Sequence, residues 1–212
     1  MHDWTRGQRD AGLSPAFGDL RNPEKADCRG ELLREQGSLC CYCNRRISAG
    51  RMHIGHLQPQ SVRHDLEVVW TNLLGCCEPQ NVKGRKFQTQ CHCGEYRGSR
   101  PVGVSPLDPT CETQFKYTLR GDIGPSPFGN KAARLAISNL NFRAERLRRS
   151  RESLIAAAYS DIEALTETEW LSVYVENQER EFPEFAAMFQ WFFDDSWRNK
   201  KRALEAKAGA TD

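Results

Sequence analysis

His53-Ile54-Gly55-His56-Leu57-Gln58-Pro59-Gln60-Ser61 and, after a short spacer, Trp70-Thr71-Asn72-Leu73-Leu74 lie between groups of cysteines. Cys40-Cys41-Tyr42-Cys43 stands upstream, and Cys76-Cys77 and Cys91-His92-Cys93 stand downstream. Residues 52–57 read as a short strand, and residues 68–74 form a second short apolar stretch. A C-x-x-C knuckle with two further cysteine groups supplies four thiolates, which zinc takes tetrahedrally at about 2.3 Å. The best set is Cys40, Cys43, Cys77 and Cys93, with Cys76, Cys91 and His92 as substitutes. Residues 75–127 are rich in Gly, Pro, Cys and charge, a long irregular stretch that a compact domain tolerates only if something staples it. Structural zinc, contributing apparent folding free energy on the order of 10–16 kcal/mol, would do so.

The rest of the chain supports metal rather than disulfides. Its 212 residues contain nine cysteines, an odd count that leaves one thiol over in any fully paired scheme. Met1-His2-Asp3-Trp4 has no apolar signal core, and no stretch is long enough to span a bilayer. A cytoplasmic location is therefore expected, where disulfides rarely persist. Cys28 and Cys111 lack a partner knuckle and read as buried thiols. The net charge of +2 says little, but its distribution says more. Residues 83–100 and 143–151 are basic, whereas acids dominate residues 161–195. The middle of the chain can attract phosphates and the C-terminal part should repel them. No Gly-x-x-x-x-Gly-Lys loop is present, so ATP hydrolysis by this chain is not expected.

Working outward, residues 1–22 read as an extended arm. Asn22-Pro23 opens a helix that runs to about Gln36 and stops at Gly37. Residues 23–129 form the cysteine-rich core, and residues 130–212 a helical region. There, Leu135, Leu140, Leu147, Leu154, Ala158, Ile162 and Leu165 recur at helical spacing, with a break near residues 139–141. Thr166 and Glu169 form a capping box. Pro183 is expected to open a last helix with Phe185, Met188, Phe189, Phe192 and Phe193 on one face. That aromatic stripe reads as core, or alternatively as a ridge for a protein partner.

His56-x-x-Pro59-x-Ser61 between cysteine groups, Asn72 sixteen residues later, and His92-Cys93-Gly94-Glu95-Tyr96-Arg97-Gly98 at the end resemble the HNH, or ββα-metal, endonucleases. The run Leu33-Arg34-Glu35-Gln36, the Asn72-Leu73-Leu74 stretch into paired cysteines, residues 106–112 with Phe115-Lys116-Tyr117, and Leu140-Asn141 resemble the PtuB group, the HNH component of Septu and related retron anti-phage systems. The resemblance implies an α+β fold: a zinc-stapled ββα-metal (HNH) core with an N-terminal helix and a C-terminal helical extension. It implies phosphodiester hydrolysis with His56 as general base and Asn72 orienting the loop that carries it. It also implies catalytic Mg²⁺, Mn²⁺ or a softer divalent ion, and an ABC/SMC-like ATPase partner (PtuA-type) docked on the C-terminal helices.

The sequence departs from that pattern at two places. Gly55 stands where an acidic metal ligand is usual, and Gly94 where Asn, His or Asp is usual. His53 and Glu95 are the first candidates to replace them. Otherwise the site is completed by substrate or partner, or the chain is a degenerate, zinc-stapled adaptor. Arg45, Arg46, Lys83, Arg85, Lys86 and Arg97 are the candidate phosphate contacts, which would hold DNA, or less readily RNA such as transfer RNA, without reading sequence. His64 and His2 read as surface residues.

Overall fold

A computed structural model describes residue 7, residues 10–12, 15–78, 83–176 and 181–197, and residues 199, 201 and 203. The side chains of Arg85, Gln88 and Ser196 lie outside that description, as do His2, Glu179 and Arg180.

Helix α1 spans Glu24–Glu35. Gly37 ends it in the left-handed conformation (φ 56°), and the Ser38 amide reaches back to the Leu33 carbonyl at 2.8 Å, the closure expected of that glycine. Gln36 then fastens the helix end to the sheet. Its amide oxygen accepts from the Gly75 N–H at 2.7 Å, and its amide nitrogen donates to the Gly75 carbonyl at 2.9 Å. The chain turns through the knuckle of residues 40–43 into β1 (Met52–His56), which pairs antiparallel with β2 (Leu73–Cys77). Met52 faces Cys77, His53 faces Cys76, Gly55 faces Leu74 and His56 faces Leu73. Helices α2 (Arg85–Gln90) and α3 (Cys93–Arg97) follow. The knuckle, two antiparallel strands and two short helices thus carry the cysteine groups, a mixed α and β arrangement with small sheets.

A second two-stranded sheet, β3 (Phe115–Tyr117) with β4 (Ile123–Pro125), leads into the helical region. Helix α4 (Lys131–Asn139) is capped by the Asn130 side chain, and α5 spans Glu145–Ser160. The break between them falls at Asn141 (φ 49°), where the sequence indicated it. The Thr166–Glu169 capping box opens α6 (Glu167–Tyr174).

The last helix departs from expectation. It is α7, Ala186–Phe192, followed by a π turn over Phe193–Trp197, and Pro183 lies outside it. The reason is tertiary. The Phe182 amide donates to the Gly37 carbonyl at 3.0 Å and the Phe185 amide to the Asn44 carbonyl at 2.9 Å, which pins this segment against the knuckle before a helix can begin. Phe185, Met188, Phe189, Phe192 and Phe193 are all buried, the last three phenylalanines against the Trp170 ring, so the aromatic stripe is core. Among the described residues no helix is long and apolar enough to cross a membrane. The arm is also more than extended chain. Phe17–Asp19 form a 3-10 turn, Leu20 is buried, and the Phe17 ring meets His56 edge-on at 4.9 Å.

Candidate active site

The four sulfurs of Cys40, Cys43, Cys77 and Cys93 lie within 4.8 Å of one another. Cys40 and Cys93 are 3.8 Å apart, and Cys43 and Cys77 are 3.4 Å apart. A tetrahedral zinc–thiolate site with bonds of about 2.3 Å has edges of about 3.8 Å, so the donor set fits. The Cys77 amide donates to the Cys40 sulfur at 3.3 Å, an N–H that would favour a thiolate. Burial alone would raise the Cys40 thiol. Hydrogen bonds from Cys41, Cys43, Cys77 and Cys93 outweigh it and hold Cys40 well below the usual thiol range. Burial drives Cys43 and Cys93 well above that range. A divalent cation would let all four ionise. Four cysteines this close could hold a structural metal such as zinc. The remaining five form no disulfide, with Cys28 buried and Cys111 half-buried.

Beside this knot lies a cleft of about 470 Å³, lined by His53, Gly55, His56, Cys76, Gly94 and Arg97 together with Tyr42, residues 59–61 and the Gly98-Ser99 turn. His56 ends β1 and is half-buried. Its Nε2 is 3.0 Å from the Glu67 carbonyl. A carbonyl only accepts, so Nε2 carries the proton and Nδ1 keeps its lone pair. Burial lowers the His56 pKa from its ordinary value. The Glu67 contact opposes the shift, and Arg97 and His53 add to it. The imidazole is therefore a neutral base at pH 7.

Asn72 is buried and holds the loop that follows His56. Its Oδ1 accepts from the Gln58 N–H at 2.7 Å, and its Nδ2 donates to the carbonyls of Gln58 (3.2 Å) and Leu66 (3.1 Å). The Asn72 carbonyl accepts from the Leu57 N–H at 2.9 Å. Glu67 adds a second clasp, with its carboxylate accepting from the Phe17 N–H and from Gln60 Nε2.

The sequence-derived phosphate contacts fare unevenly. Arg97 lines the cleft, but it is buried and committed. It donates to the Tyr42 hydroxyl (2.8 Å) and to the carbonyls of His56 (3.0 Å) and Leu57 (3.1 Å). Arg46 is occupied by the Phe182 carbonyl and by Glu181. Both guanidinium groups brace the protein in this structure. Arg45 is half-buried, Lys83 and Lys86 are exposed, and none of the three lines the cleft. Arg85 begins α2, but its side chain is outside the described part.

Nor does the structure bring Glu95 to the cleft. Its carboxylate is engaged with the Cys91 thiol, which burial, with Glu95 adding to it, pushes up to about 12. His92, a substitute zinc ligand, sits outside the tetrad with Nδ1 at 3.1 Å from the Cys93 sulfur, and burial holds it neutral with a value of about 4. His64 is exposed, as read.

The chain is 30% identical over 112 residues to "Retron Vc95 putative HNH endonuclease" of Vibrio cholerae serotype O1 biovar El Tor. The match covers 51% of this chain and 52% of that protein, so the likeness spans about half the length of each. No protein-family model matches the chain. The likeness and the four-thiol cluster together support an HNH-type nuclease role in broad terms.

Sequence reasoning missed two residues of the site. Tyr42 was read only as a spacer in the knuckle, yet it anchors Arg97. Cys76 was read as a spare zinc ligand, yet it lies opposite His53 and lines the cleft. Strand alternation and the β1–β2 register carry that signal.

Proposed function

We propose that the chain is an HNH-type endonuclease that hydrolyses phosphodiester bonds of nucleic acid, DNA more readily than RNA. The observation that carries this reading is the His56 imidazole, fixed through Nε2–H on the Glu67 carbonyl so that Nδ1 remains a base beside the cysteine knot. In the reaction Nδ1 takes a proton from a water in the cleft as that water attacks phosphorus; the bond to one ester oxygen breaks, and that oxygen leaves as a hydroxyl with a proton from solvent. Asn72 and Arg97 act on the loop rather than on the substrate. They hold residues 56–58 so that the imidazole meets the water at one angle.

Magnesium does not fit the cleft as the described residues build it. Mg²⁺ takes oxygen ligands, most often carboxylates, and no Asp or Glu is among the lining residues. The relative's name places that protein with a retron. A role for this chain in anti-phage defence, with a partner ATPase, belongs to the same proposal. The surface for such a partner would be the acidic side of the helical region, where Glu163, Glu167, Glu169, Asp194 and Asp195 are exposed. The aromatic side is spent on the core.

A second reading, a zinc-stapled adaptor without activity, is favoured by the same missing carboxylates. Supercoiled plasmid and a structured RNA, incubated with the chain and Zn²⁺, Mn²⁺ or Mg²⁺, with and without the ATPase, separate the two. A nuclease cuts at least one substrate, and His56→Ala abolishes the cutting while keeping the zinc. If the wild-type chain cuts neither substrate under any of these conditions, the adaptor reading stands.

A further inference from the structure

The two glycines where carboxylate and amide ligands are missing face one imidazole and one thiol. His53 and Cys76 are cross-strand partners, so their side chains leave the sheet on the same face, as does that of any residue at position 55. A Cβ added at Gly94 would lie 2.9 Å from His53 Nε2 and 3.9 Å from the Cys76 Cβ. A Cβ added at Gly55 would lie 2.7 Å from the Cys76 sulfur and 3.7 Å from His53 Nε2. No side chain fits at either position while the imidazole and the thiol stand where they do. Neither glycine has a φ that demands glycine, so the space itself is what they provide.

The imidazole is set up as a ligand. His53 Nδ1 is 2.6 Å from the Cys77 carbonyl, so Nδ1 carries the proton and Nε2 presents a lone pair between the glycines. Metal-bound histidines are typically braced in this way, by donating the other ring N–H to a backbone carbonyl. Cys76 is buried, with its sulfur 3.6 Å from that of Cys41. An imidazole nitrogen and a thiol select borderline and soft ions such as Zn²⁺, Co²⁺ or Ni²⁺ over Mg²⁺. Two protein donors leave coordination positions open to water or a phosphate oxygen.

We propose that His53 Nε2 and Cys76 Sγ form a second metal site in the cleft, distinct from the four-cysteine knot, which takes a zinc-class divalent ion instead of Mg²⁺. On binding, the Cys76 thiol releases its proton to solvent and the ion takes the sulfur lone pair. The site's catalytic meaning rests on the nuclease reading above, but its existence does not, and it is tested by metal binding alone.

The test titrates Co²⁺ into the full chain with the four-cysteine site already filled by Zn²⁺, following thiolate-to-cobalt charge-transfer absorption and the paramagnetic shift of histidine protons. One saturable equivalent is expected, with Mg²⁺ failing to compete. Cys76→Ser should lose the charge-transfer band. His53→Ala and Gly94→Ala should each weaken binding by roughly tenfold or more, on the scale by which disturbing a metal's surroundings lowers affinity. Gly94→Ala removes no ligand and sits in a helix, where alanine is favoured, so it remains informative if another variant fails to fold. Retained zinc reports the fold of every variant. Overturning results are no second equivalent in the wild type, equal displacement by Mg²⁺, or a cobalt signal unchanged in Gly94→Ala and Cys76→Ser, which would place the cobalt in the four-cysteine site by exchange. Cleavage that fails while the second equivalent binds would count against the nuclease reading and leave the metal site intact.

Discussion

Gly55→Asp restores the acid that the HNH resemblance leads one to expect, and the structure gives a reason it should fail. The new Cβ would stand 2.7 Å from the Cys76 sulfur and 3.7 Å from the Leu74 carbonyl oxygen. Carbon and sulfur in contact prefer nearly an ångström more. Cys76 cannot simply retreat, because it is buried and its sulfur already lies 3.6 Å from Cys41 and 3.7 Å from the Leu74 carbonyl. Overpacking of this kind typically costs about 1–3 kcal/mol. In a domain of this length each 1 kcal/mol lowers Tm by about 2–4 °C, so a fall of roughly 2–12 °C is expected. Cys76→Ala removes the obstructing sulfur. In the double variant much of the loss should return, with a coupling of about 1–2 kcal/mol between the two positions. Urea or thermal unfolding of the four proteins, each saturated with zinc, measures this. Additive effects, or a Gly55→Asp chain as stable as the wild type, would refute the claim that the thiol has displaced the acid.

Further outcomes follow from the same contacts. Arg97→Ala should cost about 1–3 kcal/mol by stranding the His56 and Leu57 carbonyls, seen as a lower urea midpoint. It should slow cleavage without changing the salt dependence of nucleic-acid binding, because the guanidinium is committed to the protein. Cys43→Ser should release the structural metal, measured by elemental analysis, and with it much of the fold by circular dichroism. The His56 pKa is lowered by burial, so the acid limb of a kcat/KM profile should fall below 6.5. The sign for stability follows. Between the folded value and 6.5 the unfolded chain binds more protons, so His56's contribution is complete above 6.5 and is lost as pH falls through the lowered value.

Much of the site was legible because it is written in local spacing. The C-x-x-C knuckle and the paired downstream cysteines pointed to four thiols that the fold does bring together, and the HNH resemblance singled out His56 and Asn72, the second of which holds the loop after the first. Gly37 and the Thr166–Glu169 box marked helix ends because capping is a property of a few adjacent residues. What could not be read depends on partners far along the chain. Arg97 looks like any basic residue until the fold brings Tyr42 and two carbonyls to it. Cys76 becomes a cleft residue only through the register that sets it against His53. Glu95 stays out of the cleft for a geometric reason. On α3 it lies about 100° further around than Gly94, which turns it from His53 towards Cys91. Pro183 carried a genuine helix-start signal, which the hydrogen bonds of Phe182 and Phe185 to the knuckle overrode.

The arrangement requires His56 to be a neutral imidazole protonated on Nε2, with Nδ1 open to the cleft. Long-range ¹H–¹⁵N correlation spectra of the zinc-loaded chain at neutral pH report that tautomer directly. An Nε2–H signature that persists below pH 6.5 and shifts when a dinucleotide phosphodiester is added is the expected result. A ring that is charged at pH 7, or that carries its proton on Nδ1, would mean that the cleft holds no base and that the proposed chemistry is wrong.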